Sequence, residues 1–222
     1  MSRPVSDSVA SPALVGIFGG TFNPIHYGHL RSALELVEKL ELEQLHLVPS
    51  ACPPHRDAPE CSATQRAAMV ELAVVGESRL VCDAREMQRP GKSYTIDSLI
   101  ELRGELGAQQ SLCMVLGCDA VQEISAWHRW QELLDWAHIV IIARPGWQLP
   151  RSGTVAQWLK RHQLEGAELL RQQSCGGIVI EELRPLAISS TEIRDLLASG
   201  RSARYLTPQS VLDYIATHKL YR

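Results

Sequence analysis

"GIFGGTFNPIHYGHL", Gly16 to Leu30, decides how this chain folds. The apolar run "ALVGIF" (13–18) enters a loop holding a glycine pair, a proline and two imidazoles three residues apart. Beyond it, "GHLRSALELVEKL" places apolar residues at 30, 33, 34, 37 and 40, a helical period. The stretch therefore reads as a buried strand, a loop and an amphipathic helix.

The same alternation repeats downstream. "LHLVP", "RLVCD", "LCMVLG", "HIVIIA" and "GIVIEEL" are strand candidates. "SATQRAAMVELAVVG", "TIDSLIELRGEL", "STEIRDLLASG" and "PQSVLDYIATHKL" are helix candidates. Ser62 and Gln65 form a capping-box pattern, with Gly76 as the stop. Continuous apolar strands suit burial on both faces. This predicts an α/β, Rossmann-like, doubly wound and mainly parallel sheet with helices on both faces. The expected division is a disordered tail over 1–12 and one domain over 13–222. An irregular stretch near 144–177 is expected to be an insertion beside the sheet.

The totals agree with that class. A chain of 222 residues with 45% apolar and 21% charged residues can bury a sizeable core. Its net charge of −3 carries no basic excess for nucleic acid and does not suit a membrane surface. The N-terminal "MSRPVSDSVASP" lacks the apolar core of a signal peptide, and no stretch is long and apolar enough to span a bilayer. Cysteines at 52, 61, 82, 113, 118 and 175 form no C-x-x-C, which fits reduced thiols in the cytoplasm. Nothing indicates an oligomer.

In such sheets ligands bind beyond the carboxyl ends of the strands, so the loops after strands carry the chemistry. Gly19 and Gly20 are read as allowing positive φ or close approach to a ligand. Thr21 and Asn23 add hydrogen-bonding side chains. His26 and His29, three apart at a helix start, can share one face. With the free amides and positive dipole end there, they make a donor-rich site for phosphate. The bland alternative, a turn with packing histidines, explains less of the pattern. The spacing fits neither G-x-G-x-x-G nor a Walker loop. A second candidate is "ISSTEIR" (188–194). Ser189 and Glu192 match a capping box, while Ser190, Thr191 and Arg194 add hydroxyls and a cation at another helix start.

Together the two motifs closely resemble the nucleotidyltransferase family with the H-x-G-H signature, here His26-Tyr27-Gly28-His29. "GGTFNPIHYGHL", "PPHR", "SYTIDSL", "GCDA", "WHRW", "RPG" and a final "LYR" are similar, in that order, to the bacterial nicotinate-mononucleotide adenylyltransferases. The match runs from about residue 14 to the end. Asn23 stands where many members carry Asp.

The resemblance implies ATP and nicotinate mononucleotide as substrates, and nicotinate adenine dinucleotide and pyrophosphate as products, in NAD biosynthesis. His26 and His29 would bind the ATP phosphates and the charge developing in transfer. Arg194 and Ser190 would grip the outgoing pyrophosphate, beside Ser189 and Thr191. Gly19, Gly20, Thr21 and Phe22 would line the nucleotide site, and Gly117 and Asp119 would hold the adenosine. Tyr94, Thr95, Trp127, His128 and Arg144 would form the mononucleotide pocket, under a loop carrying His55 and Arg56. Mg²⁺ would bridge ATP phosphate oxygens with mostly water ligands, with no protein metal cage. Two rivals follow from the same residues: another adenylyltransferase, such as the pantetheine-phosphate enzyme, and a non-catalytic nucleotide-binding sensor.

Overall fold

The computed structural model describes residues 13–52, 60–143, 146–184 and 186–222. The expected tail (1–12) therefore lies outside the described residues, as do His55, Arg56 and Arg144.

Six parallel strands form one sheet in the order β3-β2-β1-β4-β5-β6. They are β1 (Leu14–Gly20), β2 (Leu42–Pro49), β3 (Leu80–Cys82), β4 (Ser111–Gly117), β5 (His138–Ala143) and β6 (Ile178–Glu182). The first half winds outward from β1 to β3. The chain then crosses back to lay β4 against the other side of β1. The switch in strand order thus falls between β1 and β4, where Phe18 pairs with Val115.

Side-chain alternation along the strands sorts the helices between two faces. In β4, Cys113 and Val115 point to one core, and Leu112, Met114 and Leu116 to the other. The first core takes α1 (Tyr27–Lys39), α2 (Ala63–Val74) and, after β6, α7 (Ser190–Ala198) and α8 (Gln209–Thr217). The second takes α3 (Thr95–Leu106), α4 (Cys118–Glu123), α5 (Leu133–Trp136) and α6 (Gly153–His162). Right-handed crossovers require this swap of faces when the winding direction reverses. Burial on both faces explains why β4 and β5 read as unbroken apolar runs.

Local signals act where expected, with exceptions. Ser62 and Gln65 make the full reciprocal capping box of α2, at 3.2 and 3.0 Å. At α7 only half of it forms: Ser189 Oγ accepts from the Glu192 amide at 3.1 Å, and Glu192 does not reach back to the cap amide. The stretch expected to be an insertion instead holds α6 and a 3₁₀ turn (Ala167–Arg171), and forms the crossover between β5 and β6. "WHRW" does not open an α-helix. His128 sits in a turn, and a single 3₁₀ turn (Trp130–Glu132) precedes the four-residue α5.

Candidate active site

The loop after β1 ends at His26, the N-cap of α1. The His26 side chain makes no capping bond, and the first turn of α1 holds no acidic residue. The positive end of this 13-residue helix is therefore left uncompensated by its own sequence. The His26 ring stacks on that of His29, centroids 3.7 Å apart and planes 27° from parallel. Phe22 meets His29 edge-on at 5.1 Å and 83°, and Phe18 meets Phe22 likewise at 6.2 Å and 86°. Both Nδ1 atoms are buried with no hydrogen-bond partner among the described residues. Burial pushes His26 down to about 4, and burial together with the neighbouring His26 pushes His29 down to about 3. At neutral pH both rings are uncharged, and each keeps one donor and one acceptor nitrogen.

Of the two uses expected of the glycines, positive φ is not taken up. Neither Gly19 nor Gly20 has positive φ; Phe22 does, at 45°. A Cβ on Gly20 would lie 2.8 Å from the Phe22 ring, so Gly20 leaves room for that ring to fold back. A Cβ on Gly28 would lie 2.9 Å from the His26 ring and 3.3 Å from the Ile188 carbonyl. The glycine of H-x-G-H is thus where the histidine pair and the "ISSTEIR" strand-to-helix segment close against one another.

That closure has direct bonds. Ser190 Oγ donates to the Pro24 carbonyl at 2.9 Å, and Arg194 Nη1 donates to the Asn23 carbonyl at 2.9 Å. Arg194 Nη2 reaches Thr191 Oγ1 at 3.3 Å. The two motifs expected to meet around phosphate do meet. Ser190, however, spends its one proton on the loop backbone, and Arg194 uses part of its fork there. Thr207 Oγ1 holds the Ile25 carbonyl at 2.7 Å, and Tyr221 Oη donates to Asn23 Oδ1 at 2.6 Å. Behind the loop, the fully buried Arg66 donates to the Thr21 carbonyl at 2.7 Å and the Ser50 carbonyl at 2.6 Å.

The other candidates gather over the opposite face of the sheet. Gly117 ends β4 and caps α4, with the exposed Asp119 in its first turn. Tyr94 caps α3, and Thr95 is the first residue of that helix. The Tyr94 and His128 rings lie 4.4 Å apart, tilted by 36°. Trp127 is half-buried against the α3–α6 core, as is Trp130, which meets Trp158 edge-on at 5.2 Å. The site residues therefore divide into a phosphate-type cluster over one face and an aromatic cluster over the other, on either side of the β1–β4 switch. Open α/β sheets bind ligands at such a switch in strand order.

The sequence reading missed four supports: Arg66, Glu86, Ser98 and Thr207. Arg66 stands on the same helical face as Met69 and Val70, which are also buried, and that placement was the available signal. Glu86 accepts from the Ala51 amide at 3.2 Å and from Ser98 Oγ at 3.1 Å, tying the loop after β2 to α3. No spacing rule identifies that pairing in advance.

Known proteins match both fold and sequence. A family model described as cytidylyltransferase-like matches residues 17–196. The chain is 50% identical over 208 residues to a Cellvibrio japonicus protein named "Probable nicotinate-nucleotide adenylyltransferase", covering 94% of this chain and 98% of that one. It is 45% identical to an Aeromonas salmonicida protein of the same name, covering 95% and 98%. Among solved structures it resembles the Plasmodium falciparum nicotinic acid mononucleotide adenylyltransferase complexed with NaAD. There the TM-score is 0.70 at 18% identity, over 94% of this chain and 97% of that one, a likeness of fold.

Proposed function

Because the chain belongs to the cytidylyltransferase-like family, we propose that it transfers the adenylyl group of ATP to nicotinate mononucleotide, giving nicotinate adenine dinucleotide and pyrophosphate. The observation that carries this reading is the stacked, uncharged His26–His29 pair at the open N-terminus of α1. Both Nδ1 atoms there lack a partner among the described residues, and an unpaired buried polar atom costs ~1–3 kcal/mol. Each neutral ring carries one N–H, for which an incoming polyphosphate supplies acceptors.

In this reading the mononucleotide phosphate oxygen attacks the α-phosphorus of ATP in line, and the bond to the pyrophosphate oxygen breaks. The attacking oxygen is already anionic, so no general base is required. Catalysis reduces to positioning and to stabilising charge on the transferring group. His26 and His29 donate to the phosphate oxygens. Arg194, anchored on Asn23, directs its remaining N–H groups toward the leaving pyrophosphate. Gly117 and Asp119 hold adenosine at the end of β4. Thr95, Tyr94, Trp127 and His128 hold the nicotinate half, with His55 and Arg144 assigned to the same pocket.

Among the described residues no cluster of three His, Cys, Asp or Glu side chains could cage a metal ion. The donor set around the histidines is made of N–H groups, which suit phosphate oxygens and do not ligate a hard cation. Mg²⁺ would accordingly ride on ATP's own oxygens and water, neutralising part of their charge. No helix among the described residues is long and apolar enough to cross a membrane, and the reading places the work in the cytoplasm.

The test is pyrophosphate release from ATP with nicotinate mononucleotide, nicotinamide mononucleotide or phosphopantetheine as acceptor. Turnover highest with the first is expected. Highest turnover with the third would move the chain to the pantetheine-phosphate chemistry, and ATP binding without turnover would make it a sensor. His26→Ala should lower turnover by ~10²–10³ while ATP affinity changes little.

A further inference from the structure

Among the described residues two arginines are buried, Arg66 and Arg103, and they staple opposite edges of the sheet. Arg103 holds the carbonyls of Gly107, Gln110, Trp136 and Ser174, in the loops that enter β4, β5 and β6. Arg66 holds the carbonyls of Thr21 and Ser50, in the loops that leave β1 and β2. Taking a cation out of water is costly, and one held only by carbonyls is a poor source of net stability. At the lower edge it fastens strand entrances. At the upper edge its partner is the loop that carries the histidine pair.

What Arg66 and its neighbours enforce there is a single unfavourable backbone state. Phe22 has φ of 45°, a region that side-chain-bearing residues seldom occupy. The residue before it, Thr21, is held by Arg66 at 2.7 Å. The residue after it, Asn23, is held twice, by Arg194 on its carbonyl and by Tyr221 Oη on its side chain at 2.6 Å. Tyr221 is the penultimate residue, 5% exposed, and it also meets the Cys61 thiol. Clamped on both sides, Phe22 cannot relax, and its ring lies edge-on against His29, which stacks on His26. A continuous line of contacts runs from Tyr221 through Asn23 and Phe22 to the histidine pair.

We propose that Tyr221 and Arg66 are positioning residues for adenylyl transfer: by holding Asn23 and Thr21 they fix Phe22, whose ring sets the orientation of the His29–His26 stack toward the nucleotide phosphates. This rests on the adenylyl-transfer reading above. A misplaced donor loses effect on the transition state before it loses ground-state binding, so the consequence falls on kcat.

The experiment uses full-length Tyr221→Phe, which removes one hydroxyl. Turnover should fall about 3–10-fold, the range for one lost hydrogen bond, with the KM for ATP within about twofold of wild type. In the free protein the Cε1–H NMR signals of His26 and His29 should shift, while the Arg103→Lys control leaves them and kcat unchanged. In a Phe22→Leu background the added Tyr221→Phe should do little more, because both act along one line. Arg66→Lys, which keeps the charge but lacks the rigid fork whose two nitrogens reach separate carbonyls, should lower kcat in the same direction. Should Tyr221→Phe fail to fold, Asn23→Ala cuts the same bond from the acceptor side and should give the same loss. Wild-type kcat with unmoved imidazole signals, or full additivity with Phe22→Leu, overturns the proposal. Absence of adenylyl transfer in the wild type would instead refute the function, while the imidazole shifts would still report the positioning.

Discussion

The imidazoles of His26 and His29 stack with their centroids 3.7 Å apart, a separation at which two cations would repel strongly. Two unit charges about 4 Å apart repel by about 4 kcal/mol at an effective dielectric near 20. The pair is therefore built to be neutral when empty. At neutral pH each ring therefore offers an N–H without carrying charge.

Acid should loosen the fold through these rings. Their folded values, about 4 for His26 and about 3 for His29, lie below the ordinary 6.5. Between those values and 6.5 the unfolded chain binds more protons than the folded one. Stability is then complete above about 6.5 and is lost as pH falls toward 3–4. His138, lowered mainly by burial, adds in the same direction. Melting temperature measured from pH 4.5 to 7.5 should rise with pH, and His26→Gln should flatten part of the slope. A flat wild-type profile would contradict the assignment.

Gly28 and Gly19 should behave oppositely on methylation. Gly28→Ala drives a Cβ to 2.9 Å from the His26 ring, with the Ile188 carbonyl at 3.3 Å on the other side. Overpacking of this kind costs ~1–3 kcal/mol, and displacing the ring should cut kcat at least ~10-fold. At Gly19 nothing lies within 4 Å of the added carbon. Gly19→Ala should keep the wild-type melting temperature and raise the KM for ATP if nucleotide approaches the backbone there. Paired melting and kinetic measurements separate the two.

Arg103→Met should be a stability variant alone. Its guanidinium donates to four carbonyls of part-buried loops at the edge of the sheet away from the histidines, and removing it loses those charge-assisted bonds, although the Ser174 carbonyl keeps the Leu112 amide. A loss of ~1.5–3 kcal/mol in denaturant unfolding is expected, the range for lost hydrogen bonds to a charged group. Turnover per folded molecule well below the melting temperature should not change; a drop there would place Arg103 in the functional network.

Preference for the acid over the amide should rest on a helix start rather than on ring stacking. Of the two pocket residues Thr95 and His128, only Thr95 opens a true α-helix and so presents free backbone amides; His128 lies in a turn. Thr95 is the first helical position, where proline is tolerated, and Tyr94 before it has extended backbone compatible with a following proline. Thr95→Pro therefore deletes one amide N–H and keeps α3. The ratio of kcat/KM for nicotinate over nicotinamide mononucleotide should fall ~10-fold or more in Thr95→Pro. In Trp127→Ala both acceptors should weaken alike and the ratio should hold.

The sequence by itself determined the alternation of strands and helices, the strand-to-helix turn at 16–30 and the caps at Ser62 and Ser189. Those features depend on backbone geometry over about four residues, and periodicity records them directly. The histidine loop and "ISSTEIR" were legible for the same reason, since each lies at a helix start. Their meeting was legible only through the resemblance. What the tertiary structure alone decided is who holds the loop. Asn23 bonds Tyr221 across 198 residues, Pro24 bonds Ser190 across 166, and Thr21 bonds Arg66 across 45. The same holds for the glycines. Gly20 and Gly28 were visible as glycines, but the Phe22 and His26 rings that forbid a Cβ there come into place only once the chain is packed. Local propensity acts through the residue's own neighbours. The choice of a distant partner is set by the path of the whole chain, because a buried carbonyl takes whichever donor the assembled core brings to it.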